Sequence, residues 1–345
     1  MIRTTIFQTA AKAAAAAGMA AGILLSAQVQ AADVNVYSYR QPFLIQPMFD
    51  AFTEQTGINV NVVFAKKGLV ERLKQEGANS PADLIFTVDI SRLKEVTDAG
   101  LTQPIHNTVL ESNIPSNLRD PDGNWFALTT RARIIYASKD RVPVGTIKDY
   151  EDLADPKWAG KVCTRSGTHV YNVALIGSMI EHLGREGAKD WLTGVKNNLA
   201  RKPEGNDRAQ VKAIKEGECD VAIGNHYYMG KMLADEEQYE WAKSVYLVFP
   251  NQDNRGTHVN VSGVALTKAS PNKENAIALM EFLSGDLAQQ MYAEQNFEYP
   301  VKPGAPWSGL LKSWGSFKTD SLNLATIADN SGEATKIVNE VGFNE

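Results

Sequence analysis

Apolar positions in the first third of the chain switch repeatedly between two periods. Runs with the length and alternation of β-strands occupy residues 34–39, 58–65 and 82–88. Segments with apolar residues at helical spacing follow them, at residues 45–52, 68–77 and 90–100, and Gly57 is placed to end the first helix. Strands that alternate with helices in this way predict a mostly parallel sheet covered by helices.

Two longer extended runs, residues 124–138 and 259–267, bracket a second stretch of alternating helices and short strands. A chain that leaves one lobe, builds another and returns predicts two lobes joined by two hinge strands, with a ligand cleft between them. The predicted N-terminal lobe comprises 32–130 and 259–300, and the C-terminal lobe comprises 131–258 and 301–345. Ser270 and Pro271 are expected to open the next helix, with proline in its first turn.

The N-terminal residues 1–31 have the pattern of an export signal. Arg3 and Lys12 carry the positive charge, residues 13–27 form a short apolar run, and "VQA" is a small-x-small cleavage site ending at Ala31. This pattern predicts a periplasmic protein that loses the segment by cleavage near Ala31. The alternative is an uncleaved membrane anchor.

Charge and hydropathy exclude several classes of partner. The chain of 345 residues has 35 basic and 40 acidic side chains and no basic tract, and both basic residues of the signal are lost on cleavage. An acidic protein of this kind is not expected to bind nucleic acid or anionic lipid. No segment after the signal is apolar enough to insert into a bilayer.

Cys163 and Cys219 are the two cysteines of the chain. An even number of cysteines in an exported protein favours a disulfide, and two buried free thiols are the alternative. A bridge would draw the tyrosine that follows Cys163, Tyr171, towards the adjacent pair that follows Cys219, Tyr227 and Tyr228.

The residues that remain as candidates for chemistry are oxygen donors. Zinc, nucleotide and nucleophile-elbow motifs are absent from the sequence, although a Ser-His-Asp triad assembled in space stays open. Phenols ionise near pH 10, so they become good ligands only where a strongly charged cation displaces their protons. Tyr171, Tyr227 and Tyr228 therefore suit a hard trivalent ion together. Amphipathic packing in the core is the alternative.

Several stretches resemble the periplasmic ferric-iron-binding proteins of bacterial ABC importers, and the resemblance extends over nearly all of the chain after the signal. They include "VYSYRQPFLIQPMFDAF", "SPADLIFTVDISRL", "WFALTTRARIIYASKDRV", "LARKPEGNDRAQVKAIKEG", "GNHYYMGKML" and "HVNVSGVALTKASPNKENA". The resemblance implies a class II periplasmic-binding-protein fold of two mixed sheets flanked by helices. It also implies a monomeric binding protein without enzymatic activity, which passes Fe³⁺ to an inner-membrane ABC permease. The family's iron-binding tyrosines fall on Tyr171, Tyr227 and Tyr228.

One part of the N-terminal lobe departs from the family pattern. Many members have a His-Tyr pair after the "YS-x-R" segment, and here Gln41 and Pro42 stand in its place. The resemblance then implies a synergistic anion, commonly carbonate, in the open coordination positions. Arg131 and Arg40 are expected to hold it through forked donors, with hydrogen bonds from Gln41 and Tyr39. Further residues are expected around the site: Arg133, Asn172, Asn225 and Lys231.

Two other functions are kept as alternatives. One is a carrier for another small solute, a polyamine or an oxyanion, which would use acidic and aromatic groups or helix N-termini. The other is an exported hydrolase with Ser, His and Asp in the cleft. Colour distinguishes them, because an iron–phenolate complex absorbs visible light and the other two proteins would not.

Overall fold

The structure, a computed structural model, describes residues 33–345, so the predicted signal segment lies outside the described residues. The strands are β1 Val34–Ser38, β2 Val60–Phe64, β3 Leu84–Thr87, β4 Phe126–Ser138, β5 Val162–Cys163, β6 Val221–Asn225, β7 Val245–Val248, β8 Val259–Leu266 and β9 Tyr299–Pro300. The helices are α1 Gln46–Thr56, α2 Leu69–Glu76, α3 Ile90–Asp98, α4 Thr108–Asn113, α5 Val170–Asn197, α6 Asp207–Glu216, α7 Tyr227–Leu233, α8 Tyr239–Lys243, α9 Lys273–Ser284, α10 Asp286–Met291, α11 Gly309–Ser313, α12 Leu324–Asp329 and α13 Ser331–Val341. Among these, no helix combines the length and apolar character needed to cross a bilayer.

The first sheet contains the strands predicted from the opening pattern. β1 pairs in parallel with both β2 and β3, and β8 continues the sheet antiparallel to β3. The helix α1 buries Met48, Phe49 and Phe52, and the Phe49 ring meets Phe86 of β3 edge-on at 5.5 Å. Gly57 ends α1 with a left-handed φ of 74°, which glycine adopts at little cost. The predicted β-α-β-α-β unit is therefore confirmed.

Strand β4 belongs to two sheets. From Phe126 to Ala132 it pairs with β8, and from Arg133 onward it pairs with β6 and β7 in the second sheet. The polar centre of this long run therefore marks the point where the strand passes from one sheet to the other. Both sheets are mixed and flanked by helices, as predicted for a two-lobed α/β fold. The exact lobe boundaries stay a prediction.

The second sheet carries the disulfide. Cys163 in β5 is bonded to Cys219, which lies just before β6, and the two strands run in parallel. The predicted bridge is confirmed. Chain-entropy arguments assign such a loop of 56 residues roughly 4 kcal/mol of stabilisation. The bridge fixes the segment leading to α5 beside the strand leading to α7.

Two local predictions met different outcomes. The sequence pattern predicts helices over residues 172–183 and 186–199, and both helices exist within α5, which breaks at Gly184 with φ 71° and ψ 170°. The placement of Pro271 in a helical first turn is wrong, because α9 begins at Lys273. The Asp83 carboxylate accepts hydrogen bonds from the Ser270 hydroxyl and the Asn272 backbone N–H, and these hold the proline in a turn.

Candidate metal centre

A cleft of about 600 Å³ collects most of the predicted site residues. It lies beyond the ends of β1, β3 and β6 and beside the middle of β4. Its lining residues are Tyr39, Arg40, Gln41, Leu44, Phe64, Lys66, Val88, Arg92, Arg131, Arg165, His169, Tyr171, Asn206, Arg208, Tyr227, Tyr228, Lys231, Asn296 and Glu298. All three candidate iron-binding tyrosines are among them.

Tyr171 stands in the first turn of α5. His169 caps this helix, and its Nδ1 accepts the Tyr171 backbone N–H at 3.2 Å while the two rings meet at 4.6 Å. The guanidinium carbons of Arg165 and Arg131 lie 5.3 and 5.7 Å from the centre of the Tyr171 ring. The cap holds the backbone of the first turn of α5, and the Tyr171 ring lies close to both guanidinium groups.

Tyr227 and Tyr228 begin α7, directly after the buried strand β6. Their ring centres lie 4.2 Å apart and their planes are tilted by 33°. Burial raises the pKa of Tyr227 well above its usual value, and repulsion by Tyr171 and Tyr228 raises it further, whereas Arg131 opposes the rise. Such repulsion requires the other two phenol groups to lie near Tyr227.

The donor set of the three tyrosines fits a hard cation of high charge. Burial raises the pKa of Tyr227 and of Tyr228, so only a cation that compensates both desolvation and mutual repulsion would ionise this pair. In residues 33–345 no group of His, Cys, Asp and Glu side chains forms an alternative metal site. The tyrosine cluster is therefore the arrangement in the described chain with the chemistry of a metal centre.

Arg131 is buried at the point where β4 leaves the first sheet. One terminal nitrogen of its guanidinium donates to the carbonyl oxygens of Val88 and Val261. Within the described chain, its Nε is buried without a hydrogen-bond partner. Two backbone carbonyls thus hold one end of the guanidinium, which lies near the Tyr171 ring. The Nε remains an unused donor, as an anion site requires.

Arg40 faces the same cleft from the end of β1. It donates to the Ser262 hydroxyl and forms a buried ion pair of 2.7 Å with Glu298, and its Nε also lacks a partner among residues 33–345. Burial alone would raise the pKa of Glu298, but the charges of Arg40 and Arg131 lower it below its usual value. Glu298 is therefore an ionised carboxylate in the cleft.

Sequence reasoning missed Glu298. The residue follows a π-helical turn at Tyr292–Asn296 and Phe297, whose φ of 57° is unusual for a bulky residue. Such backbone features cluster at functional sites, but neither is visible in the spacing of "QNFEYP". Unlike the adjacent tyrosines and the two cysteines, Glu298 is not marked by any motif in the sequence.

The remaining predicted residues of the N-terminal lobe have different positions. The Tyr39 hydroxyl accepts the backbone N–H groups of Leu69 and Val70 at the start of α2, at 3.1 and 3.2 Å, and its ring stacks under Arg92. Its oxygen lone pairs are thus engaged. Gln41 lines the cleft and is half-buried.

Arg133 lies behind the cleft instead of lining it. It forms a buried ion pair of 2.7 Å with Asp207 at the start of α6 and donates to the side-chain oxygens of Asn225 and Asn172. This network ties β4, β6, α5 and α6 together directly beneath the tyrosines. Lys231 does line the cleft, where its Nζ donates to the carbonyl oxygen of Gln295 at 2.8 Å.

Charge in the cleft is strongly positive. Its cationic lining residues are Arg40, Lys66, Arg92, Arg131, Arg165, Arg208 and Lys231, against the single carboxylate of Glu298. Such a surface attracts anions and repels organic cations. It disfavours the polyamine alternative and supports an anion beside the tyrosines.

Comparison with known proteins matches the chain and its fold to one family. Residues 79–313 match the family model described as bacterial extracellular solute-binding protein. Iron uptake protein A1 of Synechocystis is 44% identical over 90% of this chain and 87% of its own length. An open form of ferric iron-binding protein A from Mannheimia haemolytica has a TM-score of 0.88 at 57% identity, with 91% of this chain and 100% of that chain covered.

A Trichodesmium protein solved with iron and citrate ligands has a TM-score of 0.87 at 44% identity, covering 90% of this chain and 99% of its own. The matches span nearly the whole described chain and include both sheets and the cleft. The family model describes binding proteins, which agrees with the prediction of no enzymatic activity. The chain belongs to the bacterial extracellular solute-binding proteins and is similar, within that family, to ferric-iron-binding members.

Proposed function

We propose that this protein captures ferric iron in the cleft through the phenolate oxygens of Tyr171, Tyr227 and Tyr228. The observation that carries the proposal is the convergence of three phenols, one buried and two half-buried, beside a cationic wall. Three phenolates neutralise the charge of one Fe³⁺ ion, so a bound complex can be buried without an uncompensated charge. The iron-binding relatives named above support the choice of metal.

A synergistic anion completes the coordination of the iron in this proposal. Three phenolates leave about half of an octahedron open, and Arg131 and Arg40 each hold a buried Nε without a partner in the described chain. Carbonate fits this position because its planar oxygens match guanidinium donors. A carboxylate anion such as citrate is a competing occupant, since a relative has been solved with iron and citrate.

The proposed cellular role is that of a periplasmic carrier. The chain would be exported by its N-terminal signal, lose that signal near Ala31, bind iron as a monomer and deliver it to an inner-membrane ABC permease. The family description as extracellular solute-binding protein and the relatives named as periplasmic support this location. Closure of the two lobes about β4 and β8 would present the loaded form to the permease.

Iron titration of tyrosine variants tests the proposal. Tyr227→Phe and Tyr228→Phe each remove one oxygen and keep the ring. Loss of a direct ligand should therefore lower iron affinity by more than the roughly 10- to 100-fold typical of outer contacts. Wild-type protein should show a visible absorption band on loading, which shifts or weakens in the variants.

Tyr239→Phe is the matched control, because this exposed tyrosine of α8 lies outside the cleft. It should titrate iron like the wild type. If both cleft variants bind iron with wild-type affinity and an unchanged band, the assignment of the tyrosines is wrong.

An oxyanion carrier is the second candidate function, favoured by the excess of cationic side chains in the cleft. Two more distant relatives, from Salmonella, are described as putative 2-aminoethylphosphonate-binding proteins. Calorimetry with phosphate and phosphonates in the absence of iron distinguishes the candidates. Tight binding without colour or bound metal would favour the oxyanion carrier.

A further inference from the structure

A second cavity, of about 370 Å³, borders the helix that carries the tyrosine pair. It lies among α7, α8, β7 and the end of α11, and none of its lining residues belongs to the metal-site cleft. The lining residues are Lys139, Met229, Leu233, Ala242, Lys243, Val245, Tyr246, Leu247, Ser313 and Trp314. This α7 cavity has no part in the iron chemistry described above.

Its chemistry is that of an apolar pocket with two positive charges. The buried side chains of Met229, Ala242 and Val245 contribute apolar surface, whereas Lys139 and Lys243 are exposed. Neither lysine forms an ion pair within residues 33–345, and no lining residue is acidic. Elsewhere in the described chain many lysines are paired with carboxylates, among them Lys94, Lys189 and Lys302.

We propose that the α7 cavity binds a small amphipathic carboxylate, with an aliphatic or aromatic body and a single anionic end. The apolar wall would take the body, and Lys139 and Lys243 would take the carboxylate. The volume lies within the usual range for small-molecule pockets, where apolar walls supply affinity and a few polar groups fix orientation. Charge complementarity selects an anion over a cation or a neutral amphiphile.

The occupant would influence the metal site through α7. Met229 and Leu233 of the cavity wall lie on the helix that begins with Tyr227 and Tyr228. Trp314 of the same wall meets His226 edge-on at 5.8 Å, and the His226 ring lies 6.1 Å from that of Tyr227. A ligand that contacts both Met229 and Trp314 and favours one arrangement of α7 would change iron affinity, and iron would change the affinity for that ligand by the same factor.

Calorimetric titration of the intact apo protein with decanoate tests the binding. Decanoate should bind saturably, and 1-decanol, which has the same chain without the charge, should bind at least about tenfold more weakly. Lys139→Gln combined with Lys243→Gln should weaken decanoate binding by a similar factor. The control is Lys67→Gln with Lys268→Gln, which makes the same charge change at exposed positions outside the cavity.

A second variant blocks the cavity and leaves the charges of Lys139 and Lys243 in place. Ser313→Phe places a ring at the exposed edge of the cavity without altering the core, so it should abolish decanoate binding and preserve the fold. Absence of saturable binding to the wild type, or equal binding by the wild type, Ser313→Phe and the lysine pair variant, overturns the site.

The coupling is tested by iron titration with and without saturating decanoate, and this part rests on the proposed iron function. A shift in iron affinity that disappears in Ser313→Phe supports it, and an identical affinity in both conditions overturns it. Because decanoate binding is measured without iron, failure of the site and failure of the iron assignment give different results.

Discussion

The ion pair between Arg40 and Glu298 places an acid inside the proposed anion site. The Glu298 carboxylate is almost fully buried and lies 2.7 Å from the Arg40 guanidinium. It remains ionised because Arg40 and Arg131 lower its pKa against the effect of burial. The carboxylate therefore competes with any external anion for the same donors, and it limits how strongly the cleft binds one.

Glu298→Gln should tighten anion binding. The substitution removes the internal competitor and leaves the charge of Arg40 available, so the bicarbonate concentration needed for half-maximal iron loading should fall by about tenfold, or about 1.4 kcal/mol. Glu294→Gln is the control, since this exposed residue lies on the same turn. Iron titrations over a bicarbonate series provide the measurement. A strong loss of iron affinity in Glu298→Gln at every bicarbonate concentration would instead identify Glu298 as an iron ligand.

His258 gives the apo protein a dependence on pH. Its pKa is lowered to about 4, mainly by burial; Asp320 opposes this effect, whereas the charges of Arg133 and His182 add to it. Both ring nitrogens lack partners in the described chain. In the unfolded chain His258 takes up a proton near pH 6.5, whereas in the folded chain it does so only near pH 4. Stability is therefore full above about pH 6.5 and falls as the pH drops through this window.

The full loss at His258 is about 3 kcal/mol and is reached below about pH 4, and about 2 kcal/mol of it is expected between about pH 7.5 and about pH 5. Urea denaturation of the apo protein at about pH 7.5 and about pH 5 measures it. His258→Gln should show a smaller difference between the two conditions than wild type. His106→Gln, at an exposed histidine, should not. An unchanged difference in His258→Gln would show that other groups cause the pH dependence.

At the scale of residues, the predictable roles were those that a residue's type and its immediate sequence context already indicate. Tyr227 and Tyr228 are conspicuous because adjacent phenols after a buried strand are unusual, and Cys163 and Cys219 could pair only with each other in a chain with two cysteines. Glu298 could not be predicted, because its role depends on Arg40, which is 258 residues away along the chain. Its pairing is a property of the assembled cleft.

At the scale of elements, α7 is held against the turn that carries Glu298. The Phe297 ring lies over Gly230 of α7 so closely that a Cβ built on the glycine would stand 2.3 Å from the ring. The backbone carbonyl of Phe297 contacts His226 Nε2 at 2.9 Å, and that of Gln295 accepts from Lys231. The tyrosine pair and the internal carboxylate are therefore positioned by one interface.

Gly230→Ala should disrupt this interface. The added methyl group collides with the Phe297 ring, and overpacking of this kind costs about 1–3 kcal/mol. Gly332→Ala in α13 is the control, since a Cβ there meets nothing within 4 Å and alanine favours a helix. Chemical denaturation should show Gly230→Ala destabilised and Gly332→Ala unchanged or stabilised. Equal stability of the two variants would mean that the ring moves aside freely.

Most elements were predictable because each has a local cause. The period of apolar residues identifies α1, α3 and β4, and Gly57 ends α1 by its own backbone preference. The start of α9 was misplaced because its cause is not local. The Asp83 carboxylate, far away in sequence, holds residues 270–272 in a turn before the helix.

At the scale of the whole molecule, β4 connects the proposed anion donor Arg131 to the hydrogen-bond network behind the tyrosines. Arg131 lies on the last part of the strand that pairs with β8, and Arg133 on the first part that pairs with β6. The first arginine faces the cleft, and the second holds α5 and α6 behind it. A shift of β4 where it passes between the two sheets would move Arg131 relative to the tyrosines. We therefore expect iron binding, anion binding and lobe closure to be coupled.

Acid and removal of bicarbonate should therefore release iron together. Each phenol must lose a proton to bind iron, and burial raises the pKa of Tyr227, so iron affinity falls as pH falls. Carbonate is also protonated in acid, which weakens the iron complex further. Iron loading followed by the visible band, in buffers with and without bicarbonate, should show weaker binding and a shifted band without it, both reversed on its return.

Arg131→Lys tests the same coupling from the protein side. It keeps the charge and loses the forked donor, so the response of iron affinity to bicarbonate should be blunted while the response to pH remains. Tryptophan fluorescence recorded in parallel separates iron release from unfolding, because the change expected from His258 belongs to the stability of the apo protein. Affinity and spectrum that are indifferent to bicarbonate, citrate and phosphate alike would mean that side chains or water complete the iron coordination. Tyr39 would then be an unsuitable fourth phenolate as positioned here, because its oxygen already accepts two backbone N–H groups of α2.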